Sequence, residues 1–140
     1  WRELDYLLVD LPPGTGDVPL TVMQSLPVDG IVMVSAPQEL VLMVVKKAVK
    51  MANKLGVPIL GLIENMSYAC CPHCNERLEL FGPSHAQEAA AQMNIPLFGQ
   101  LPWNPQLNRL MDQGKIEDYK GDEVTRLSEE LVKRLPLEKP

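Results

Sequence analysis

Short apolar runs alternate with helical patterns along the chain, and that alternation restricts the fold more than any other feature of the sequence. LDYLLVD (Leu4 to Asp10), DGIVMVSAP (Asp29 to Pro37) and VPILGLIEN (Val57 to Asn65) read as strands buried on both faces. IPLFGQLP (Ile95 to Pro102) is a weaker fourth. Between them, Glu39 to Leu55 places Leu40, Val44, Ala48, Met51 and Leu55 on one helical stripe, with Val41, Val45, Val49 and Ala52 beside it. Lys46, Lys47, Lys50 and Lys54 take the solvated side, and Gly56 stops the helix. Ser84 with Gln87 predicts a capping box opening SHAQEAAAQM. Asn104-Pro105 reads as N-cap and first turn of PQLNRLMDQ, ended by Gly114, and Asp122 as the cap of a final helix. The expected fold is α/β, a mostly parallel sheet flanked by helices, in a single domain over residues 1–140. Met23, Met33, Met43, Met51 and Met66 read as core filler, and Trp103 as packed against the sheet or a neighbouring helix.

Composition narrows the function classes. The net charge of −5 argues against nucleic acid as a partner, since phosphate backbones attract basic surfaces. The longest apolar runs are too short to span a bilayer, and no signal peptide is expected. Three cysteines, Cys70, Cys71 and Cys74, lie within five residues, which is no secreted disulfide framework; a cytoplasmic location is expected. The chain begins Trp1-Arg2-Glu3 without an initiator Met and enters an apolar run almost at once, so a longer parent chain is expected.

In parallel sheets the ligand sits beyond the carboxyl ends of the strands. The segments to read are therefore DLPPGTGD, SAPQEL, ENMSYACCPHC and PWNPQ. An acid ending a buried strand, as Asp10 does, suits a Mg²⁺ site reached through water. Gly14 and Gly16 leave backbone N–H groups free to approach a phosphate; the plainer reading makes them turn residues and Asp17 a helix cap. Cys71 and Cys74 are spaced to put two thiolates on one metal or cluster. Single-chain zinc lacks a second ligand pair. A dithiol redox role lacks the helix that normally starts at such a pair. An inert loop is the plain alternative, and suits Cys70. A 4Fe–4S cluster needs four thiolates, which two chains related by a twofold axis would supply.

DLPPGTGD, SAPQE, ENMSY and CPHC together, over roughly Leu4 to Gly114, closely resemble the Mrp-type ATPases, in the deviant P-loop family with MinD and the nitrogenase iron protein. The resemblance implies an ATP-dependent iron–sulfur cluster carrier that holds a 4Fe–4S cluster across a homodimer and passes it to apo-proteins. It implies Asp10 as the Walker B acid, placing Mg²⁺ through a water, and Gly14 as the switch II glycine facing the γ-phosphate. It implies Asn65 as the adenine-recognising asparagine, Pro102 in the segment near the base, and Cys71 and Cys74 as the cluster ligands. The glycine-rich KGGVGK-like loop of the family is absent from these residues. In the family it lies N-terminal to the matching segment, on a strand beside the Walker B strand. The chain therefore corresponds to the C-terminal part of a P-loop NTPase domain. An incomplete sheet, an exposed apolar seam and no ATPase activity for this stretch alone are expected. The alternatives are a metal- or cluster-binding module without nucleotide chemistry, and a CxxC dithiol redox protein.

Overall fold

A computed structural model describes residues 3–137. Three parallel strands form the sheet in the order β1 (Ile31–Ser35), β2 (Ile59–Glu64), β5 (Leu97–Gln100). The helices are α1 (Asp17–Ser25), α2 (Glu39–Leu55), α3 (Ala86–Met93), α4 (Pro105–Asp112) and α5 (Asp122–Arg134), with a 3₁₀ turn at Ile116–Asp118. The expected mostly parallel sheet with flanking helices is therefore present. A two-stranded antiparallel ribbon, β3 (Ala69–Cys70) with β4 (Arg77–Leu78), stands apart from the sheet.

The core forms where α1, α2 and α3 meet the sheet. Met23, Met33, Val45, Val49, Ala52, Val57, Leu62, Ala86 and Ala90 make one buried cluster. α2 occupies the expected residues, and Gly56 closes it in the left-handed region at φ 71°. Its buried stripe is Leu42, Val45, Val49 and Ala52, one face around from the expected one. Leu40 is 73% exposed, because it stands in the first turn before the helix reaches the sheet. Met23 and Met33 are core residues and Met51 packs against the core, whereas Met43 and Met66 are exposed. Asn104 caps α4 as expected, its Oδ1 accepting from the Gln106 N–H at 2.8 Å. The last helix is preceded by Gly121 instead, and Asp122 is its first residue.

Leu4 to Asp10 forms no strand. Leu4, Leu7, Leu8 and Val9 are exposed, Leu8 by 79%. Among the described residues only Tyr6 is tethered, its hydroxyl donating to the Leu135 carbonyl at 2.6 Å. The physical reason is pairing. A strand is held by a ladder, and β1, the sheet's edge, pairs only with β2 among the described residues. On β1, Val34 is left 58% exposed. The capping box at Ser84 is also absent. α3 starts at Ala86, and the Ser84 hydroxyl is turned toward Glu64.

Leu62 is 0% exposed at the centre of the core. Leu62→Ala is expected to cost about 2–5 kcal/mol by leaving a cavity, while Val34→Ser on the open edge should stay within about 0.5 kcal/mol. Urea unfolding midpoints of the two variants check this; equal losses would mean that β1 is covered in solution.

Candidate functional site

The parallel register aligns three residues at the carboxyl end of the sheet: Ser35 beside Glu64, and Glu64 beside Gln100. The candidate residues leave from this row. Asn65 follows β2 directly; its N–H donates to the Ser35 carbonyl at 2.8 Å, and its Oδ1 accepts from the Met66 N–H at 2.9 Å. Met66 is in the left-handed region at φ 54°, an uncommon conformation for a side chain of that size. The chain then runs beside the segment following β5. The Ser67 N–H donates to the Leu101 carbonyl at 3.0 Å, and the Trp103 N–H to the Tyr68 carbonyl at 2.7 Å. Pro102 lies between those two bonds, so the segment bearing Pro102 and the entry to the cysteine loop form one backbone frame. Trp103 is exposed rather than packed, because this frame carries its side chain past the edge of the core.

The cysteine loop hangs from that frame. Cys70 pairs with Arg77 in the β3–β4 ribbon, and the Arg77 guanidinium sits 4.2 Å above the Tyr68 ring. The Cys71 N–H donates to the Glu76 carbonyl at 2.9 Å, and the Asn75 N–H returns to the Cys71 carbonyl at 2.9 Å. Asn75 makes the turn at φ 59°, a conformation that asparagine tolerates better than most residues. The His73 N–H, then the Cys74 N–H and then the Cys74 thiol hold the Cys71 thiol below its ordinary range. Cys71 is half-buried, and Cys70 and Cys74 are exposed. All three are free thiols. Among the described residues no group of three or more His, Cys, Asp and Glu side chains is placed to hold a metal ion. One chain therefore offers a two-thiol set with amide donors, which fits half of a thiolate site and not a whole one.

Asp10 and Gly14 are elsewhere. Asp10 ends the unpaired segment and is exposed, held by no ladder. Gly14 has φ 98°, a conformation that favours glycine, and nothing lies within 4 Å of where its Cβ would be. α1 starts at Asp17 with no side-chain cap, so the acid lies in the first turn, where the helix dipole favours it. The geometry brings Asn65, Pro102 and the cysteine loop onto one frame and leaves Asp10 and Gly14 on a segment of their own.

A polar cluster that sequence reasoning missed lies beneath the frame. Glu64, the last residue of β2, is 0% exposed. Its Oε2 accepts from Ser84 Oγ at 2.6 Å, Ser67 Oγ at 2.8 Å and Gln100 Nε2 at 3.0 Å. Gln100 Nε2 also donates to Ser84 Oγ at 2.7 Å. Glu64 Oε1 is buried with no partner among the described residues. The readable signal was an acid closing an apolar run with a serine three residues on.

The model of the ParA family, described as NUBPL iron-transfer P-loop NTPase, matches residues 1–136. A protein of Clostridium perfringens called iron-sulfur cluster carrier protein is 46% identical over 119 residues, covering 85% of this chain and 42% of its own length. The mouse iron-sulfur cluster transfer protein NUBPL is 38% identical over 141 residues, covering 96% of this chain and 44% of its own length. The chain thus spans less than half of these curated relatives. A solved nucleotide-binding protein from Archaeoglobus fulgidus, in complex with ADP and with Co found by PIXE, superposes with a TM-score of 0.78 at 49% identity. It covers 87% of this chain and 50% of its own. The chain belongs to the ParA family of NUBPL-type iron-transfer P-loop NTPases.

Proposed function

We propose that the chain is the cluster-holding part of an iron–sulfur cluster carrier, in which Cys71 and Cys74 supply half of a 4Fe–4S site and a second copy supplies the rest. The observation that carries this reading is the turn at Cys71–Asn75, in which two thiols three residues apart share a loop whose amides favour the thiolate. The names of the relatives support transfer of an iron–sulfur cluster to apo-proteins. The cluster is cargo here. Cys71 and Cys74 bind it, and the surrounding amides offset negative charge on the thiolates. Cys70 stands outside the pair, its backbone committed to the ribbon.

Nucleotide enters the proposal through Asn65 and Pro102 as base contacts, which share one backbone frame, and through Asp10 and Gly14 as phosphate-side residues. The ADP-bound neighbour supports nucleotide binding in the family. When bound, Mg²⁺ would neutralise phosphate charge, with Asp10 holding it through a water. Asp10 needs a paired strand to be held in place for that, and a phosphate-binding loop is not in this sequence. A dithiol redox role draws on the same lowered Cys71 thiol. Anaerobic reconstitution with iron and sulfide separates it, since only the carrier then gains an absorbance band near roughly 400 nm, a range set by thiolate-ligated clusters.

Cluster content is expected to approach about one 4Fe–4S per two chains, with mass in solution shifting to the dimer as the cluster assembles. Cys71→Ala and Cys74→Ala should each abolish it, and Cys70→Ala should keep most of it. Iron quantitation with light scattering, under anaerobic conditions, checks this. A metal-replete monomer, or loss confined to Cys70→Ala, would sink the half-site reading.

Mg-ATP hydrolysis by the 140-residue chain alone is expected to stay at background, because the amides and lysines that stabilise phosphoryl transfer are not in its sequence. Joined to the N-terminal half of the Clostridium perfringens relative, the chain should hydrolyse ATP. In that hybrid, Asp10→Asn should lower turnover by at least about tenfold. Phosphate release assays check both, and robust turnover by the chain alone would be the contrary result.

A further inference from the structure

The loop that carries the thiols has almost nothing of its own to stand on. From Pro72 to Phe81 every residue is exposed, and the β3–β4 ribbon is two residue pairs long. A ribbon that short does not hold itself in water. The loop's position must then come from its two roots. Ser67 stands at one root, just before Tyr68, and Ser84 at the other, just before α3.

Both root hydroxyls meet the same atom. Ser67 Oγ is 2.8 Å and Ser84 Oγ 2.6 Å from Glu64 Oε2. Gln100 locks the arrangement by donating both to Oε2 and to Ser84 Oγ, at 3.0 and 2.7 Å. Ser84 Oγ also accepts from the Ala86 N–H at 3.2 Å, which ties the root to the start of α3. Gln100 ends β5, so the same cluster borders the segment bearing Pro102. A fully buried carboxylate is costly, and it is lopsided here: one oxygen takes three donors and the other none. For stability alone, a wholly apolar cluster in this spot would serve as well. The arrangement makes sense as a device for geometry.

We propose that Glu64 is a positioning residue: its Oε2 clamps both roots of the cysteine loop to the end of the sheet and so fixes where Cys71 and Cys74 are presented. The proposal rests on the reading of those thiols as ligands, and it acts through the loop rather than by contact with cargo.

The test uses two readouts, amide hydrogen exchange of the metal-free chain and titration with Co²⁺ followed by thiolate-to-cobalt absorption. Glu64→Met keeps the length of the side chain but removes the oxygen that accepts the three donors. It is expected to speed exchange at the Cys71 and Asn75 amides by at least about tenfold while the Val49 and Ala52 amides of α2 stay at wild-type rates. Co²⁺ affinity should fall by at least about tenfold, as when an outer partner of a metal ligand is removed. Ser84→Ala should act in the same direction, and Ser84→Thr, which keeps the hydroxyl, should restore both readouts. Wild-type exchange at Cys71 and Asn75 in Glu64→Met and Ser84→Ala would overturn the proposal. Equal acceleration in α2 would overturn it too, leaving Glu64 a stability residue only. If Glu64→Met does not fold, the Ser84→Ala and Ser84→Thr pair decides by the same criteria. If loop exchange responds as expected but Co²⁺ binding is unchanged by Cys71→Ala, the thiol-ligand reading fails and the clamp stands.

Discussion

The placement of β2 between two parallel neighbours is the constraint on which the rest depends. Its register with β1 and β5 brings Ser35, Glu64 and Gln100 level at one end of the sheet. From that row the chain makes its consequential exits: Asn65 toward the proposed base side, Ser67 into the cysteine loop, Leu101 toward Pro102. Side-chain periodicity along a strand is two, so a slip of one residue would put Glu64 on the other face and dissolve the cluster. Leu62, two residues earlier, faces the same way and is fully buried in the core. The hydrophobic drive that buries Leu62 therefore also buries the carboxylate, and its cost is accepted with the register.

How much of this was legible in the sequence follows from which interactions are local. α2 was found with its ends because its apolar period and Gly56 are local signals. The Asn104-Pro105 start of α4 was found for the same reason. The three strands that pair were found from their apolar runs, but Leu4 to Asp10 has an equally good run and forms no strand. Pairing is a non-local property, and a run of leucines does not report whether a neighbour is present. Ser84 was read as half of a capping box with Gln87; its hydroxyl accepts from the Ala86 N–H instead and donates to Glu64, twenty residues away in sequence. The β3–β4 ribbon escaped notice because two-residue strands have no period to read.

The candidate site divides along the same line. The Cys71–Cys74 spacing was visible, and so was the position of Asn65 after a strand. The backbone frame that unites Asn65, Pro102 and the loop was not, since it rests on bonds such as Trp103 N–H to Tyr68 O, between segments far apart in sequence. Family membership and the geometry agree on one division of labour. The fold recurs in a solved relative at a TM-score of 0.78, while the thiols ride on a loop outside the core.

A loop whose two roots converge on one oxygen is, in engineering terms, a socket with a plug. With the roots clamped as proposed, the exposed stretch from Pro72 to Phe81 can change length or composition without disturbing the sheet. Loop closure entropy grows only slowly with length, so insertions there are thermodynamically cheap. α3 offers no such freedom: Ala86, Ala89 and Ala90 are packed tightly enough that larger side chains would push the helix, and with it the second root, away from β2. Variation can therefore accumulate in the plug while the socket stays fixed, which makes the cysteine loop the natural place to graft a metal-binding turn.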